Sequence, residues 1–297
     1  MRVDYQHTLA RDAKVEGVGV HSGAPVCVTI RPAPPDSGYV FVRTDLETKD
    51  RRVEARAETV ANTMLATVIG NAAGVTVSTV EHLMAAFAGL GVDNALVEID
   101  GPEMPILDGS AAGFVAAIDG AGLARQGGSP RRYLKVLEPV EVGGPGKRAA
   151  LAPADDFQMS VEIIFDAAAI GRQRLDLTLD AETFRSEIAD ARTFGFIKEV
   201  EQLRAAGYGR GASLDNTIVV DGERLLNPEG LRRPDEFVRH KALDALGDLA
   251  LLGAPVIGRY EASCGGHALN NALVRAVLDR PEAWRFVTPA TRSAAQV

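Results

Sequence analysis

Alternating and helical spacings of apolar residues divide this chain into short strands and short helices. Residues 26–30 and 39–43 read as strands, separated by the turn-rich stretch Arg31-Pro32-Ala33-Pro34-Pro35-Asp36-Ser37-Gly38. A helix is predicted over residues 79–88, ending at Gly89 or Gly91. A strand over 95–99 and a second helix over 110–120 follow. Gln126-Gly127-Gly128-Ser129-Pro130 is the clearest linker, so the domain boundary is placed there, with residues 1–127 before it and 128–297 after.

The second half repeats the scheme. Residues 133–142, 158–165 and 174–179 read as strands, and Gly143-Gly144-Pro145-Gly146 as a turn. Helical patterns cover 181–190 and 198–206, and Asp221-Gly222 between two apolar runs signals a two-residue hairpin loop. A long helix begins at Asp235, a strand covers 256–261, and a last helix opens after Gly266. Strands then helices, twice over, predict an α+β fold of two similar two-layer domains facing each other. Val80-Glu81-His82 and Val238-Arg239-His240 each open an Ala/Leu-rich helix. A pseudo-twofold arrangement would bring both histidines toward one interdomain cleft.

The helix from Asp235 carries the most informative chemistry. His240 and Asp244 are four residues apart and share a face, where an imidazole nitrogen and a carboxylate oxygen are two ready ligands for a divalent metal. Asp248 continues their stripe, and Leu243, Leu246 and Ala250 form an apolar one beside it. Pro234, Asp235 and Glu236 suit a first turn, and Gly253 suits the stop. Two ligands do not make a site, since a His–Asp pair on a helix is usually only a pair. Glu81-His82 offers a third ligand with a carboxylate beside it, where a general base belongs. Ser78-Thr79-Val80-Glu81 fits a capping box equally, and His82 fits a satisfied histidine under the core.

Gly265-Gly266-His267 leaves an imidazole uncrowded at a helix start, able to give up a proton or steady an oxyanion, with Asp248 available to hold its ring. The competing reading is a capping loop with an incidental histidine. Cys264-x-x-His267 has metal-like spacing but lacks the second cysteine of a structural zinc site. In Arg192-Thr193-Phe194-Gly195-Phe196, a hydroxyl between a base and an aromatic suits a polar intermediate, with the phenylalanines receiving an apolar tail. Core packing explains the same spacing.

Composition narrows the setting. A chain of 297 residues exceeds the common single-domain size, which agrees with two domains. A net charge of −8 argues against nucleic acid as partner, so an anionic substrate would need local positive charge. The N-terminus has no apolar signal region, no apolar run approaches the roughly 18 residues that span a bilayer, and the only cysteines are Cys27 and Cys264. A cytoplasmic protein without stable membrane insertion or a disulfide scaffold is expected. No Gly-x-Ser-x-Gly elbow, His-Glu-x-x-His, P-loop or Gly-x-Gly-x-x-Gly opening a strand–helix unit is present.

Six blocks follow one another along the chain: Gly17-Val18-Gly19-Val20-His21-Ser22-Gly23, Ser78-Thr79-Val80-Glu81-His82-Leu83 and Pro105-Ile106-Leu107-Asp108-Gly109-Ser110-Ala111-Ala112, then Ala191-Arg192-Thr193-Phe194-Gly195-Phe196, Asp235-Glu236-Phe237-Val238-Arg239-His240-Lys241 and Gly266-His267-Ala268-Leu269-Asn270-Asn271. Together they resemble the UDP-3-O-acyl-N-acetylglucosamine deacetylase family of lipid A synthesis. The resemblance implies two βααβ-type domains packed helices to helices, with the active site between them. It implies a zinc ion on His82, His240 and Asp244, a donor set that would also accept iron(II). Glu81 becomes the general base rather than a cap, and His267, paired with Asp248, the general acid or electrostatic stabiliser. Thr193 would steady the oxyanion and Lys241 would contact substrate near the amide or its phosphates. The implied reaction is hydrolysis of the acetamide of UDP-3-O-acyl-N-acetylglucosamine to amine and acetate, in the cytoplasm of a Gram-negative bacterium, by a monomer.

The resemblance further implies an acyl passage after Thr193, for which Phe194, Phe196, Val200, Ser213, Thr217 and Val219 are the candidates, with Met64 and Leu65 approaching from the first half. The competing reading of these is the insert's own small core. Cys264 and Gly265 stand where relatives can have a basic residue and a serine, which puts one nucleotide contact in doubt. His21 has no assigned role. The alternatives are a non-catalytic sugar-nucleotide or metal-binding paralogue, a structural interaction protein, and another metal-dependent amidase.

Overall fold

The computed structural model describes residues 4–289. The chain is a mixture of sheets and helices, as the patterning predicts. Its first large sheet has five strands in the spatial order Ala13–Val18, Pro25–Pro32, Ala95–Ile99, Tyr39–Arg43 and Arg52–Glu54. All neighbours are antiparallel except Ala95–Ile99 and Tyr39–Arg43, which run parallel with Val97 opposite Phe41. Alternation sends Val28, Ile30, Val97 and Ile99 to the buried face, where each is fully enclosed. Two helices follow from this half, α1 (Glu81–Leu90) and α2 (Ala112–Ala121).

The second large sheet has seven strands. Val256–Ser263 is its centre, parallel to Tyr133–Val136 and Phe157–Ile164 and antiparallel to Lys147–Ala152. Val140–Gly144, Arg172–Thr178 and Trp284–Val287 complete it. This half contributes α3 (Glu236–Leu249) and α4 (His267–Leu278). α3 rests on Phe157–Ile164 and Arg172–Thr178, α4 on Val140–Gly144 and Lys147–Ala152, and α2 on Ala13–Val18. α1 packs on α3. The approach is close because Gly247 of α3 faces the start of α1, where a Cβ would collide with the Glu81 carbonyl oxygen. A glycine inside a helix costs about 1 kcal/mol relative to alanine, and here it removes the side chain that would hold the helices apart.

Two smaller sheets have three strands each. One joins Val60–Asn62, Val68–Gly70 and Thr76–Val77, the other Phe194–Phe196, Ile218–Asp221 and Arg224–Leu225.

Several elements differ from their sequence patterns for identifiable reasons. The expected linker is the second half of strand Leu123–Pro130, which pairs antiparallel with Tyr5–Leu9. Tyr5 faces Pro130 and His7 faces Arg125, so residues 126–129 bulge opposite Gln6, with Gly128 at φ +90°. The strand predicted over 133–142 is two strands interrupted before Pro139, which has no N–H for a ladder; Leu137 there donates instead to the Ala283 carbonyl. The helix predicted over 181–190 is one α-turn that widens into a π-turn over Phe184–Ile188, closed by Ala189 N–H to Phe184 carbonyl. The hairpin loop is Gly222-Glu223, one residue later than expected, because Asp221 pairs with Arg224.

Candidate metal centre and active site

Glu81 and His82 open α1, and their burial is set by the helix itself: every residue from Glu81 to Leu90 except Ala88 is buried. The capping box is not formed. Val80 caps α1 without a side-chain bond, and Glu81 turns away from Ser78 so that its Oε2 accepts the Thr67 amide at 3.0 Å. His240 and Asp244 lie one turn apart on α3, as their spacing predicts, with Nε2 to Oδ1 at 3.3 Å. His82 Nε2 approaches the same oxygen at 3.7 Å, and the two imidazoles stand nearly perpendicular with centroids 5.1 Å apart. The three residues offer one ligand atom each, all within 4.8 Å of one another.

These donors fit a divalent metal on four counts. Asp244 Oδ1 is buried with no hydrogen-bond partner, as is His82 Nδ1, an uncommon cost unless something else satisfies the site. Burial, followed by mutual repulsion with His240, pushes the His82 imidazole down to about 3, and burial lowers His240 as well, so both rings are neutral and can offer lone pairs. Burial alone would raise Asp244, but His240 and Lys241 outweigh it and hold its carboxyl well below the usual range. His240 Nδ1 lies 3.0 Å from the Ala191 carbonyl, which fixes Nδ1 as the donor and leaves Nε2 for a ligand.

That carbonyl is itself held in place. Arg192, the next residue, is buried against Glu236 of the first turn of α3, donating from its backbone N (3.0 Å) and Nε (2.9 Å) to Oε1 and from Nη2 (3.2 Å) to Oε2. Thr193 follows, its amide on the Gly109 carbonyl at 2.8 Å.

His267 is the first residue of α4. Its Nδ1 meets Asp248 Oδ2 at 2.9 Å and its Nε2 faces Glu81 Oε1 at 3.7 Å. Burial opposes its charge, but Asp248 and then Glu81 prevail and push its pKa up to about 10. Burial pushes Glu81 up to about 7, against the pull of His267. The site therefore presents one carboxylate that ionises near neutrality beside one imidazolium, a pairing suited to taking one proton and giving another. Lys241 Nζ donates to Asp244 Oδ2 at 2.8 Å and lies over the Phe194 ring. Burial works against the Lys241 charge, yet Asp244 raises its pKa.

All of this opens on a cavity of about 540 Å³. Glu81, His82, Thr193, His240, Lys241, Asp244 and His267 line it together with Phe194, Phe196, Val200, Ser213, Thr217, Val219 and Leu65. Met64 is exposed and does not line it, and Asp248 lies behind His267. Cys264 is not part of the metal-ligand group. His21 also lines the cavity, with its ring edge on Tyr208 and its amide on Glu103 Oε1 at 2.7 Å. Leu203 and Leu214 add apolar wall that the sequence patterns did not single out. Thr67 and Gly247 were missed too. Gly247 had a readable signal, a glycine inside a helical pattern; Thr67 had none.

The family model described as UDP-3-O-acyl N-acetylglycosamine deacetylase (LpxC) matches residues 6–279. The chain is 60% identical over 284 residues to the UDP-3-O-acyl-N-acetylglucosamine deacetylase of Phenylobacterium zucineum (strain HLK1), covering 96% of this chain and 97% of that one. It is 52% identical over 287 residues to the enzyme of that name from Myxococcus xanthus (strain DK1622), covering 97% and 90%. The chain belongs to the UDP-3-O-acyl N-acetylglycosamine deacetylase family.

Proposed function

We propose that this protein hydrolyses the acetamide of UDP-3-O-acyl-N-acetylglucosamine to the free amine and acetate, a step of lipid A biosynthesis. The observation that carries the reading is the convergence of a His82/His240/Asp244 donor set, Glu81 and the His267–Asp248 pair at one cavity with apolar walls. His82, His240 and Asp244 would hold a divalent ion, zinc or iron(II), which would supply Lewis acidity to the acetamide carbonyl and to water. Glu81 takes a proton from the attacking water; its Oε2 is occupied by the Thr67 amide, which leaves Oε1 for that task. The Thr193 hydroxyl donates to the developing oxyanion, and the charged His267 ring stabilises it. A proton reaches the leaving nitrogen from His267 Nε2 or from Glu81, the carbon–nitrogen bond breaks, and acetate and amine depart. The reaction consumes one water and needs no oxidant.

Lys241, charged and at the cavity wall, suits the substrate's amide or phosphate oxygens. Phe194, Phe196, Val200, Ser213, Thr217, Val219 and Leu65 suit its acyl chain, since such a tail needs an apolar lining that stays open in the folded protein. In this reading residues 1–127 and 128–297 are two domains of βααβ type, and the α1–α3 contact is the floor of the cleft between them. The enzyme works in the cytoplasm; among the described residues no helix is long and apolar enough to cross a membrane.

The test compares metal content and acetate release for wild type and Glu81→Ala. One metal per chain in both, with turnover only in wild type, supports the deacetylase and Glu81 as base. Bound metal with no turnover in wild type would point to a binding paralogue, and no metal under gentle purification would remove the His82/His240/Asp244 site.

A further inference from the structure

Thr67 lies outside every motif by which the site is recognised, one residue before strand Val68–Gly70. It is buried at the meeting point of three helices. Its amide donates to Glu81 Oε2 of α1 at 3.0 Å. Its hydroxyl donates to Asp248 Oδ1 of α3 at 2.5 Å, across 181 residues of chain, and stands 3.2 Å from His267 Nδ1 of α4. The other Asp248 oxygen, Oδ2, is claimed by His267 Nδ1 and by Asn270 Nδ2, each at 2.9 Å, and Tyr260 donates its hydroxyl to Asn270 Oδ1 at 2.6 Å.

A hydroxyl has one proton to give, and an ionised carboxylate can only accept. The Thr67 proton therefore goes to Asp248, which leaves an oxygen lone pair facing His267 Nδ1. Both groups beside Nδ1 are then acceptors, so a proton stays on Nδ1, and Nε2 becomes the only ring nitrogen free to lose or gain one. The Thr67 amide meanwhile occupies one oxygen of Glu81, so that the other faces His267 and the cavity.

We propose that Thr67 is a positioning residue for both proton-handling groups: its hydroxyl sets Asp248, and through it the tautomer of His267, while its amide sets the orientation of Glu81. Thr67 touches none of the three metal donors through a hydrogen bond of its own, so the effect is on proton transfer and not on metal binding. This rests on the deacetylase reading above.

Thr67→Val keeps the shape and the amide and deletes only the hydroxyl; Thr67→Ser restores it. We expect Thr67→Val to bind one metal per chain, to keep KM within about twofold and to lose about 10- to 100-fold in kcat, the scale of a lost hydrogen bond to a charged group. The ring-nitrogen NMR shifts of His267 should move in Thr67→Val, and Thr67→Ser should recover most of kcat. If Thr67→Val does not fold, Thr67→Ala replaces it with the same expectation. Wild-type kcat per bound metal in the variant lacking the hydroxyl, unmoved His267 shifts, or a Thr67→Ser loss as deep as that of Thr67→Val would overturn the proposal. Glu81→Gln, measured in parallel, separates the two failures. Lost turnover there with full turnover in Thr67→Val removes only the role of Thr67, whereas full turnover in Glu81→Gln removes the acid–base reading on which it stands.

Discussion

Glu81 and Glu236 hold the same place in their helices and do opposite work. Each is the first residue of a helix, α1 or α3, and each is almost wholly buried. Glu236 is saturated: Arg192 donates to it from three nitrogens, and the Arg232 amide adds a fourth bond at 2.6 Å. Glu81 accepts the Thr67 amide on one oxygen, and its other oxygen faces the cavity with the His267 ring 3.7 Å away. A guanidinium hydrogen-bonded to both oxygens makes a buried carboxylate a fixed strut, whereas burial with only the more distant His267 ring leaves the Glu81 pKa raised to about 7. The difference lies in the partners, not in the residue or its helical position.

The sharpest way to break this comparison is to neutralise each carboxylate in turn. Glu81→Gln should lower kcat by about 10²–10⁴-fold, the usual worth of a general base, with metal content unchanged. Glu236→Gln should act mainly on the fold. Arg192 keeps Glu229 Oε1 at 2.7 Å but loses the charge of Glu236, which should cost about 1–3 kcal/mol, seen as a lower denaturation midpoint, with less than tenfold change in turnover per bound metal. If instead Glu236→Gln behaves like Glu81→Gln, the contrast is wrong.

Gly247→Ala probes the contact on which both helices depend. Its new methyl would press on the Glu81 backbone, so we expect about 1–3 kcal/mol of destabilisation together with weaker metal retention, measured by chelator competition.

The pH profile sharpens the comparison further. Glu81 must be ionised to accept a proton, so kcat/KM should fall as pH drops through about 7. His267 must be protonated to act as an acid, so activity should fall as pH rises through about 10. Asp248→Asn removes the largest group that raises His267 and should move the alkaline limb downward. A limb unmoved by Asp248→Asn would sever His267 from the reaction.

The smallest effects belong to the cavity wall. Phe196→Ala should raise KM for a long-acyl substrate by about tenfold, in keeping with the apolar contact removed, while Met64→Ser, on an exposed residue, should stay within about twofold.

Much of the candidate site was legible because its residues are spaced by local geometry. His240, Asp244 and Asp248 follow the helical repeat, and α1, α3 and the strand Ala95–Ile99 sit where periodicity placed them. Segments whose local signals conflict were misread. The Gly-rich run at 126–130 has linker composition, yet Tyr5–Leu9 supplies a partner that draws it into a bulged strand. The capping box of Ser78 and Glu81 satisfied local rules and lost to the Thr67 amide, a partner that only the folded chain brings near.

The sequence by itself determined which residues can ligate, titrate or cap, and which of them share a helix face, because those depend on side-chain chemistry and on a 3.6-residue repeat. Tertiary structure alone decided which partners each buried carboxylate meets. Those partners depend on the folded chain, because they arrive from 14 residues away at Thr67 to Glu81, 44 at Arg192 to Glu236 and 181 at Thr67 to Asp248.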